Sequence, residues 1–357
     1  MAARQRLRRL RDFLHQTVRS GLIPGAVCLA GRGKETLFHE SFGFAEKQPD
    51  QRRMRPDTVF DLASLTKVVA TAPAVMLLVE RGLVRLRDPA AEYLPDLSGG
   101  AKDRVTLWHL LTHTAGLPAW VDLAEKKVPL DEAIQYICRE IALEREPGEE
   151  FVYSDLGFIL LGEIAAIASG KRLDKFVRQN LYEPLGMAET CFLPRASLRR
   201  RCAATEWRSG SMLVGTVHDE NAEHLGGVAG HAGLFSTAAD LAIYCRMLLG
   251  RGRVGRKRIM SGPAVDAMTG PQFSGGQIRG LGWDISSDYS APKGDLFGPR
   301  SFGHSGFTGA SIWIDPDSQA FVILLTNAIH PKRGANMARI RGIVANLVAA
   351  GLEEAKR

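Results

Sequence analysis

Cysteine is scarce in this sequence, and its placement excludes a fold held together by disulfides. Only five cysteines occur in 357 residues. They are irregularly spaced: Cys28, Cys138, Cys191, Cys202 and Cys245. Because the number is odd and no Cys-x-x-Cys pair occurs, we predict free thiols in a reducing compartment. Long apolar runs are also missing, so the sequence predicts no membrane span.

A signal peptide is only weakly indicated. The apolar residues 21–30 follow a basic stretch, as the apolar part of a signal peptide does. This segment is short, contains Pro24 and continues into a strand-like pattern. We therefore predict a cytoplasmic protein, with export as the alternative.

Several catalytic signatures are absent. The sequence has no Walker loop and no His-Glu-x-x-His motif, which excludes the common phosphate-binding loop and the zincin site. It has no Gly-x-Ser-x-Gly elbow, because the segment Gly303-His304-Ser305-Gly306-Phe307 ends in phenylalanine. No cofactor-binding motif remains, so we expect no cofactor and no catalytic metal.

Positive charge is in modest excess, with 46 Lys and Arg against 39 Asp and Glu and a net charge of +7. A basic balance can indicate a nucleic-acid partner. The densest basic cluster, residues 4–11, is interleaved with leucines at spacings of three and four, which predicts an amphipathic helix packed on a sheet. We expect no nucleic-acid partner; the oligomeric state is left open.

The distribution of strand and helix patterns predicts an α+β fold. Strand patterns lie at residues 25–31, 35–45, 311–314 and 320–326, and terminal helices at 3–20 and 333–350. The middle is rich in helical patterns. One architecture that fits this distribution is a mainly antiparallel sheet built from both termini and flanked by helices. The central, mostly helical segment would then form a second lobe inserted between the strands. We predict a single catalytic unit over residues 1–357, with an α/β lobe at about 1–75 and 210–357 and a helical lobe at about 76–209.

The segment Ser64-Leu65-Thr66-Lys67 opens a helical pattern and is the first candidate for chemistry. Residues three apart share a helix face, so the serine hydroxyl and the lysine amine can meet. Serine needs a base to become a nucleophile, and a lysine serves only if burial lowers its pKa. A second Ser-x-x-Lys, Ser290 to Lys293, lies in a loop pattern where this spacing has no geometric meaning. A plain helix cap at Ser64 is the alternative.

Two further motifs contain groups that suit a serine nucleophile. In Tyr153-Ser154-Asp155, a tyrosine hydroxyl near the lysine can lower its pKa and move a proton. The alternative is a buried tyrosine beside an N-capping residue. In His304-Ser305-Gly306-Phe307, a strand edge can lend a backbone N–H to an oxyanion, and Gly306 lets a substrate approach closely.

The order and spacing of these three motifs resemble the serine penicillin-recognising enzymes, especially the class C β-lactamase branch with its D,D-peptidases, D-aminopeptidases and esterases. Segments 23–27, 60–67, 110–117 and 233–241 also resemble that branch, over roughly residues 20–345. The resemblance implies a serine hydrolase in which Ser64 forms an acyl-enzyme, Lys67 accepts or polarises its proton and Tyr153 shuttles it. It also implies an oxyanion hole from the N–H groups of Ser64 and Phe307, with substrate bound along His304-Ser305.

The sequence departs from the family pattern at two positions. Asp155 stands where the family often has asparagine, which puts an acid near Lys67. His304 stands where β-lactamases usually have lysine, and a neutral histidine attracts a carboxylate less strongly. Both departures favour an ester, amide or peptide-like substrate over efficient β-lactam hydrolysis.

Segments 217–222 and 226–233 are similar to a subgroup that includes peptidoglycan-recycling amidases. His218, Asp219, Asn221 and His231 could contact substrate, form structural hydrogen bonds or hold a metal, although no metal-ligand spacing supports the last. Trp120 is a further candidate substrate contact. His113 is interpreted as structural.

The alternative function is a non-catalytic or weakly catalytic sensor that binds penicillins or peptidoglycan fragments. Retention of Ser64, Lys67 and Tyr153 together argues against it, because binding alone needs no nucleophile. The partner expected in either case is a small-molecule or peptide-like ligand.

Overall fold

In a computed structural model, the described residues are 7–353 apart from Arg333 and Ala335. The strands, in chain order, are β1 Gly25–Arg32, β2 Glu35–Glu46, β3 Arg52–Arg53, β4 Phe60–Asp61, β5 Cys191–Phe192, β6 Ala204–Arg208, β7 Ser211–Val214, β8 Leu234–Ser236, β9 Arg253–Val254, β10 Lys257–Arg258, β11 Gln272–Ser274, β12 Gln277–Arg279, β13 Asp284–Ser286, β14 Phe302–Ser305, β15 Ser311–Asp315 and β16 Ala320–Thr326.

The helices surround these strands. In chain order they are α1 Arg8–Arg19, α2 Ala72–Glu80, α3 Leu107–Leu111, α4 Ala133–Glu140, α5 Asp155–Ser169, α6 Leu173–Val177, α7 Glu183–Leu185, α8 Ala196–Arg199, α9 Glu220–His224, α10 Ala238–Leu249, α11 Gly262–Thr269 and α12 Met337–Glu353. Positions 3–6 of the first predicted helix, and two positions at the start of the last one, lie outside the described residues. No helix in the described part of the chain is long and apolar enough to cross a membrane.

The main sheet confirms the predicted α+β class. Within the described residues it has nine antiparallel strands in the order β11-β12-β13-β14-β15-β16-β1-β2-β3. Its centre joins the two ends of the chain, because β1 pairs with β16 from Ala26 opposite Thr326 to Arg32 opposite Ala320. The division into two lobes stays a prediction.

Both faces of the sheet centre are covered, which explains why β16 is buried at every position and apolar up to its last residue, Thr326. Alternate side chains of β1 point to opposite faces. Ala26 and Cys28 pack with α1 and α12, whereas Val27 and Leu29 belong to the larger core that contains α2 and α10. The five cysteines carry free thiols, as predicted.

The segment after Ser64 forms one continuous helical run. It begins with a π-helical turn, Lys67–Thr71, that leads directly into α2. Pro73 does not interrupt the run; it lies directly after the π-helical turn, where the backbone hydrogen bonds change from the i→i−5 to the i→i−4 pattern. Strand β4 precedes this run in the chain. It pairs with β8 in a small three-stranded sheet, β4-β8-β5, and so connects the start of the run to the segment 231–236.

Candidate active site

The turn that carries Ser64 is held by the buried carboxylate of Asp61. Its two oxygens accept hydrogen bonds from the backbone N–H groups of Ala63, at 2.8 Å, and His218, at 2.7 Å. Ala63 has a positive φ of 45°, which a residue with a side chain adopts only when its surroundings impose it. Burial raises the pKa of Asp61, and the two N–H donors act against that rise. Asp61 therefore fixes the conformation of the turn that carries Ser64.

Lys67 lies at the centre of the predicted catalytic group. Its Nζ is 3.1 Å from Ser64 Oγ, 2.6 Å from Asp155 Oδ1 and 3.3 Å from the carbonyl oxygen of His231. The residue is completely buried. Burial acts to lower the pKa of Lys67, but the charge of Asp155 and then Tyr153 outweigh it, so the pKa is raised. The condition set by the sequence analysis, a pKa lowered by burial, is therefore not met in the resting site, because Asp155 stabilises the ammonium and the net pKa is raised.

Tyr153 completes the group. Lys67 Nζ lies 4.9 Å from its ring centre, and the tyrosine hydroxyl interacts electrostatically with Ser64 and Lys67. Burial is the largest influence on the pKa of Tyr153 and raises it, although Lys67 acts in the opposite direction. The resting site thus contains a protonated lysine, a neutral tyrosine and a neutral serine hydroxyl in mutual contact.

His113 supports Tyr153 from behind, in agreement with the structural role proposed for it. The two rings stack with their centres 4.5 Å apart. His113 Nδ1 accepts the backbone N–H of Ser154 at 3.0 Å, and burial lowers its pKa far below the usual value. A neutral imidazole therefore fixes the tyrosine loop at the start of α5.

His304 is neutral and presents an acceptor. It lies in β14 opposite Ile312, and its pKa is lowered well below the usual value by burial first and then by Lys67 and Arg279. Its Nδ1 lies 2.9 Å from the carbonyl oxygen of Ser305. Because a carbonyl can only accept, Nδ1 carries the proton and Nε2 keeps a lone pair.

The turn after β14 is pressed against the chain that leads to Ser64. A Cβ built on Gly306 would lie 2.3 Å from the carbonyl oxygen of Leu62. Thr308 Oγ1 donates to the carbonyl oxygen of Asp61 at 2.7 Å. These contacts hold the turn that contains Phe307 against the segment that leads to Ser64, and they leave no room for a side chain at position 306.

The segment 218–231 forms paired groups beside this turn. His218 Nε2 lies 2.8 Å from Glu206, and its ring stacks on the exposed ring of Phe307 at 5.7 Å. His231 Nε2 lies 2.7 Å from Asp219 Oδ1. Burial acts to raise the pKa of Asp219, but His231 outweighs it and the net pKa is lowered.

Asn221 has a structural role. Its amide donates to the carbonyl oxygen of Val121 at 2.8 Å and accepts from the N–H of Leu123 at 3.1 Å. It therefore holds the loop that carries Trp120, whose side chain is 44% exposed. The neighbouring Ala119 carbonyl accepts the N–H of Asp155 at 2.9 Å, which joins this loop to the catalytic group.

A set of three metal-compatible residues adjoins Lys67. One ligand atom each from Asp155, Asp219 and His231 lies within 4.8 Å of the others. Asp155 already accepts from Lys67, and Asp219 accepts from His231. The cation in contact with this set is thus the lysine ammonium.

Three residues near the site were not found by sequence reasoning. Arg279, almost fully buried, lies with its guanidinium carbon 4.9 Å from the ring centre of Phe151, and its charge helps to lower the pKa of both His113 and His304. Tyr289 is 54% exposed and tilts against Tyr153 at 5.4 Å. Arg341 donates to the turn after β14. In the sequence, the one feature that could have indicated Arg279 and Arg341 is that each arginine stands among apolar residues.

The structure combines an antiparallel sheet flanked by helices with a Ser-x-x-Lys motif at the start of a helix. A tyrosine and a strand from late in the chain lie near that motif. This combination is typical of β-lactamase-like proteins. The family profile described as Beta-lactamase matches residues 10–346, and the chain belongs to that family. It is 32% identical to N-acetylmuramyl-L-alanine amidase of Bacillus subtilis (strain 168), over 91% of this chain and 82% of that protein. It is 30% identical to an Escherichia coli (strain K12) protein provisionally described as a D-alanyl-D-alanine carboxypeptidase, over 93% and 86%.

Solved structures agree on the fold. EstCE1, a hydrolase with promiscuous acyltransferase activity, superposes with a TM-score of 0.76 at 20% identity, over 98% of both chains. The octameric penicillin-binding protein homologue from Pyrococcus abyssi gives 0.72 at 22% identity, over 96% of this chain and 77% of that one. At these identities the similarity concerns the fold alone.

Proposed function

We propose that the chain is a serine hydrolase that cleaves an amide or ester through an acyl-enzyme on Ser64. The observation that carries this proposal is the position of the buried Lys67 Nζ, 3.1 Å from Ser64 Oγ and in contact with Tyr153 and Asp155. Binding alone needs no such network behind a serine hydroxyl. The hydrolase names of the relatives support the same class.

The reaction begins when Ser64 Oγ attacks the substrate carbonyl. Its proton passes into the Lys67–Tyr153 pair, which must first have lost one proton, because the resting lysine and tyrosine are both protonated. The N–H groups of Ser64 and Phe307 stabilise the oxyanion. The pair then protonates the leaving nitrogen or oxygen, and the C–N or C–O bond breaks. Water hydrolyses the acyl-enzyme by the same proton movements in reverse.

The proposed substrate is a peptide-like amide derived from the cell wall. His304 offers a neutral acceptor, which suits a substrate N–H better than a carboxylate. Three exposed aromatic side chains border the catalytic group and can pack on sugar or aliphatic faces: Trp120, Tyr289 and Phe307. The amidase and carboxypeptidase names of the relatives support this class. The free thiols support a cytoplasmic location, where recycled wall fragments would be met.

The ion pair between Lys67 and Asp155 favours a second candidate, a sensor that is acylated and released slowly. A lysine held as the ammonium is a poor base for activating the deacylating water. Such a protein would accumulate an adduct on Ser64 and turn over little substrate.

The nucleophile is tested by intact mass after incubation with benzylpenicillin, together with hydrolysis of p-nitrophenyl acetate. We expect an adduct, ester turnover or both in the wild type and in Ser290→Ala, and neither in Ser64→Ala. Ser290 is the matched control because it begins the second Ser-x-x-Lys, and its hydroxyl donates to Asp284 at 2.9 Å rather than to Lys67 or Tyr153. Turnover that persists in Ser64→Ala contradicts the proposal, whereas an adduct without turnover selects the sensor.

The substrate class is tested with an N-acetylmuramyl-tripeptide and with a peptide ending in D-alanyl-D-alanine. Mass analysis should show release of the intact tripeptide from the first, or of free alanine from the second. Ester hydrolysis without cleavage of either compound would replace the cell-wall assignment with an esterase.

A chelator is expected to leave p-nitrophenyl acetate hydrolysis unchanged. The metal-compatible set is engaged by Lys67 and by the pairing of Asp219 with His231, at 2.6 and 2.7 Å respectively. Rates should be compared before and after dialysis against excess EDTA. A loss that zinc or manganese restores would show that a metal, rather than the ammonium, belongs beside Asp155.

A further inference from the structure

Arg341, in α12, contacts the turn that follows β14. Its Nη2 donates to the carbonyl oxygens of Gly306, at 2.6 Å, and Ala310, at 3.0 Å. Its Nε is shielded from solvent and has no hydrogen-bond partner, and among the described residues no carboxylate forms an ion pair with it. Burial lowers the pKa of Arg341 to about 10, so it remains a cation at neutral pH.

The turn does not need this cation in order to close. The N–H of Gly306 donates to Ala310 at 2.7 Å, and the N–H of Gly309 donates to Gly306 at 3.1 Å. Thr308 fastens the turn to Asp61 at 2.7 Å. A partly buried, unpaired guanidinium is costly to keep where backbone hydrogen bonds already suffice. Its contacts therefore point to a role beyond closing the turn.

The carbonyl of Gly306 and the N–H of Phe307 belong to the same peptide group. A positive charge on the carbonyl oxygen draws electrons through the amide and makes the N–H at its other end a stronger donor. That N–H is the second donor of the proposed oxyanion hole. The guanidinium therefore acts on the reacting oxygen through one peptide plane, without touching it.

We propose that Arg341 is a positioning residue that orients and polarises the Gly306–Phe307 peptide for stabilisation of the oxyanion. This inference rests on the proposed acyl transfer at Ser64. It assigns a functional role to α12, which lies outside the three sequence motifs. It also predicts that loss of the positive charge at position 341 lowers kcat more than a change in side-chain shape does.

The test compares Arg341→Gln, which keeps a donor without charge, with Arg341→Lys, which keeps the charge. With p-nitrophenyl acetate we expect Arg341→Gln to lower kcat about tenfold, less than the loss of a whole oxyanion donor, with KM little changed. Arg341→Lys should recover most of the loss. Arg339→Gln is the matched control, because Arg339 is exposed and lies in the same helix.

Three results would overturn the inference: a kcat of Arg341→Gln equal to that of Arg339→Gln, a loss confined to KM, or an equal loss in the lysine and glutamine variants. Thermal unfolding followed by circular dichroism checks that each variant is folded. Ser64→Ala is measured alongside. Turnover that survives in Ser64→Ala removes the proposed function, whereas turnover that depends on Ser64 but not on Arg341 removes only this inference.

Discussion

Replacement of Gly306 with alanine is expected to lower kcat for ester hydrolysis about 10²- to 10³-fold, the usual cost of removing one oxyanion donor. The added Cβ would lie 2.3 Å from the carbonyl oxygen of Leu62, which is backbone and cannot rotate away. The turn must therefore move away from the segment that leads to Ser64, and the Phe307 N–H moves with it. Because the ground-state contacts change less than the oxyanion contact, KM should change much less than kcat.

Gly298→Ala is the matched control. A Cβ at Gly298 meets its nearest atom, a carboxylate oxygen of Asp315, at 3.4 Å, an ordinary contact in a loop that precedes β14. This variant should keep wild-type kcat and KM for p-nitrophenyl acetate. Wild-type kcat in a folded Gly306→Ala variant would contradict the placement of the oxyanion hole at Phe307.

The centre of the fold could be predicted because its strands carry strong local patterns. The predicted strand at residues 25–31 is β1, Gly25–Arg32, and the one at 320–326 is β16, Ala320–Thr326. Both are buried on both faces over nearly their whole length, so every residue in them except the terminal Arg32 and Thr326 is apolar. The strands β11 and β12, at one end of the sheet, were missed, because Gln272–Ser274 and Gln277–Arg279 are only three residues long and are stabilised by pairing rather than by pattern.

The proximity of the candidate residues Ser64 and Lys67 could also be predicted, but the electrostatics around them could not. Spacing placed Ser64 and Lys67 on one helix face, and the structure brings them to 3.1 Å. The sequence also shows an acid at position 155. It does not show that this acid, 88 residues away along the chain, lies 2.6 Å from Lys67 and reverses the effect of burial.

Asp155→Asn is expected to move the acid limb of the pH–rate profile to lower pH. Asp155 raises the pKa of Lys67 and also that of Tyr153, so its removal lowers both. Whichever of the two accepts the serine proton, its basic form then exists at lower pH. On the acid limb the variant should exceed the wild type about tenfold for each pH unit that the limb moves. The measurement is kcat/KM for p-nitrophenyl acetate from acid to alkaline pH, with the Ser64→Ala rate subtracted.

Asp174→Asn is the matched control, because Asp174 is also an acid in the first turn of a helix and is paired with a cation, Arg172, at 2.7 Å. It should leave the profile unchanged. If Asp155→Asn also leaves the acid limb in place, the proton that limits the reaction does not reside on Lys67 or Tyr153. If the limb moves as expected, the aspartate at position 155, where the resemblance to the family often implies asparagine, sets the pH range of the proposed reaction. The ion pair at 2.6 Å would then hold the hydrolase in its protonated, resting form until the network loses one proton.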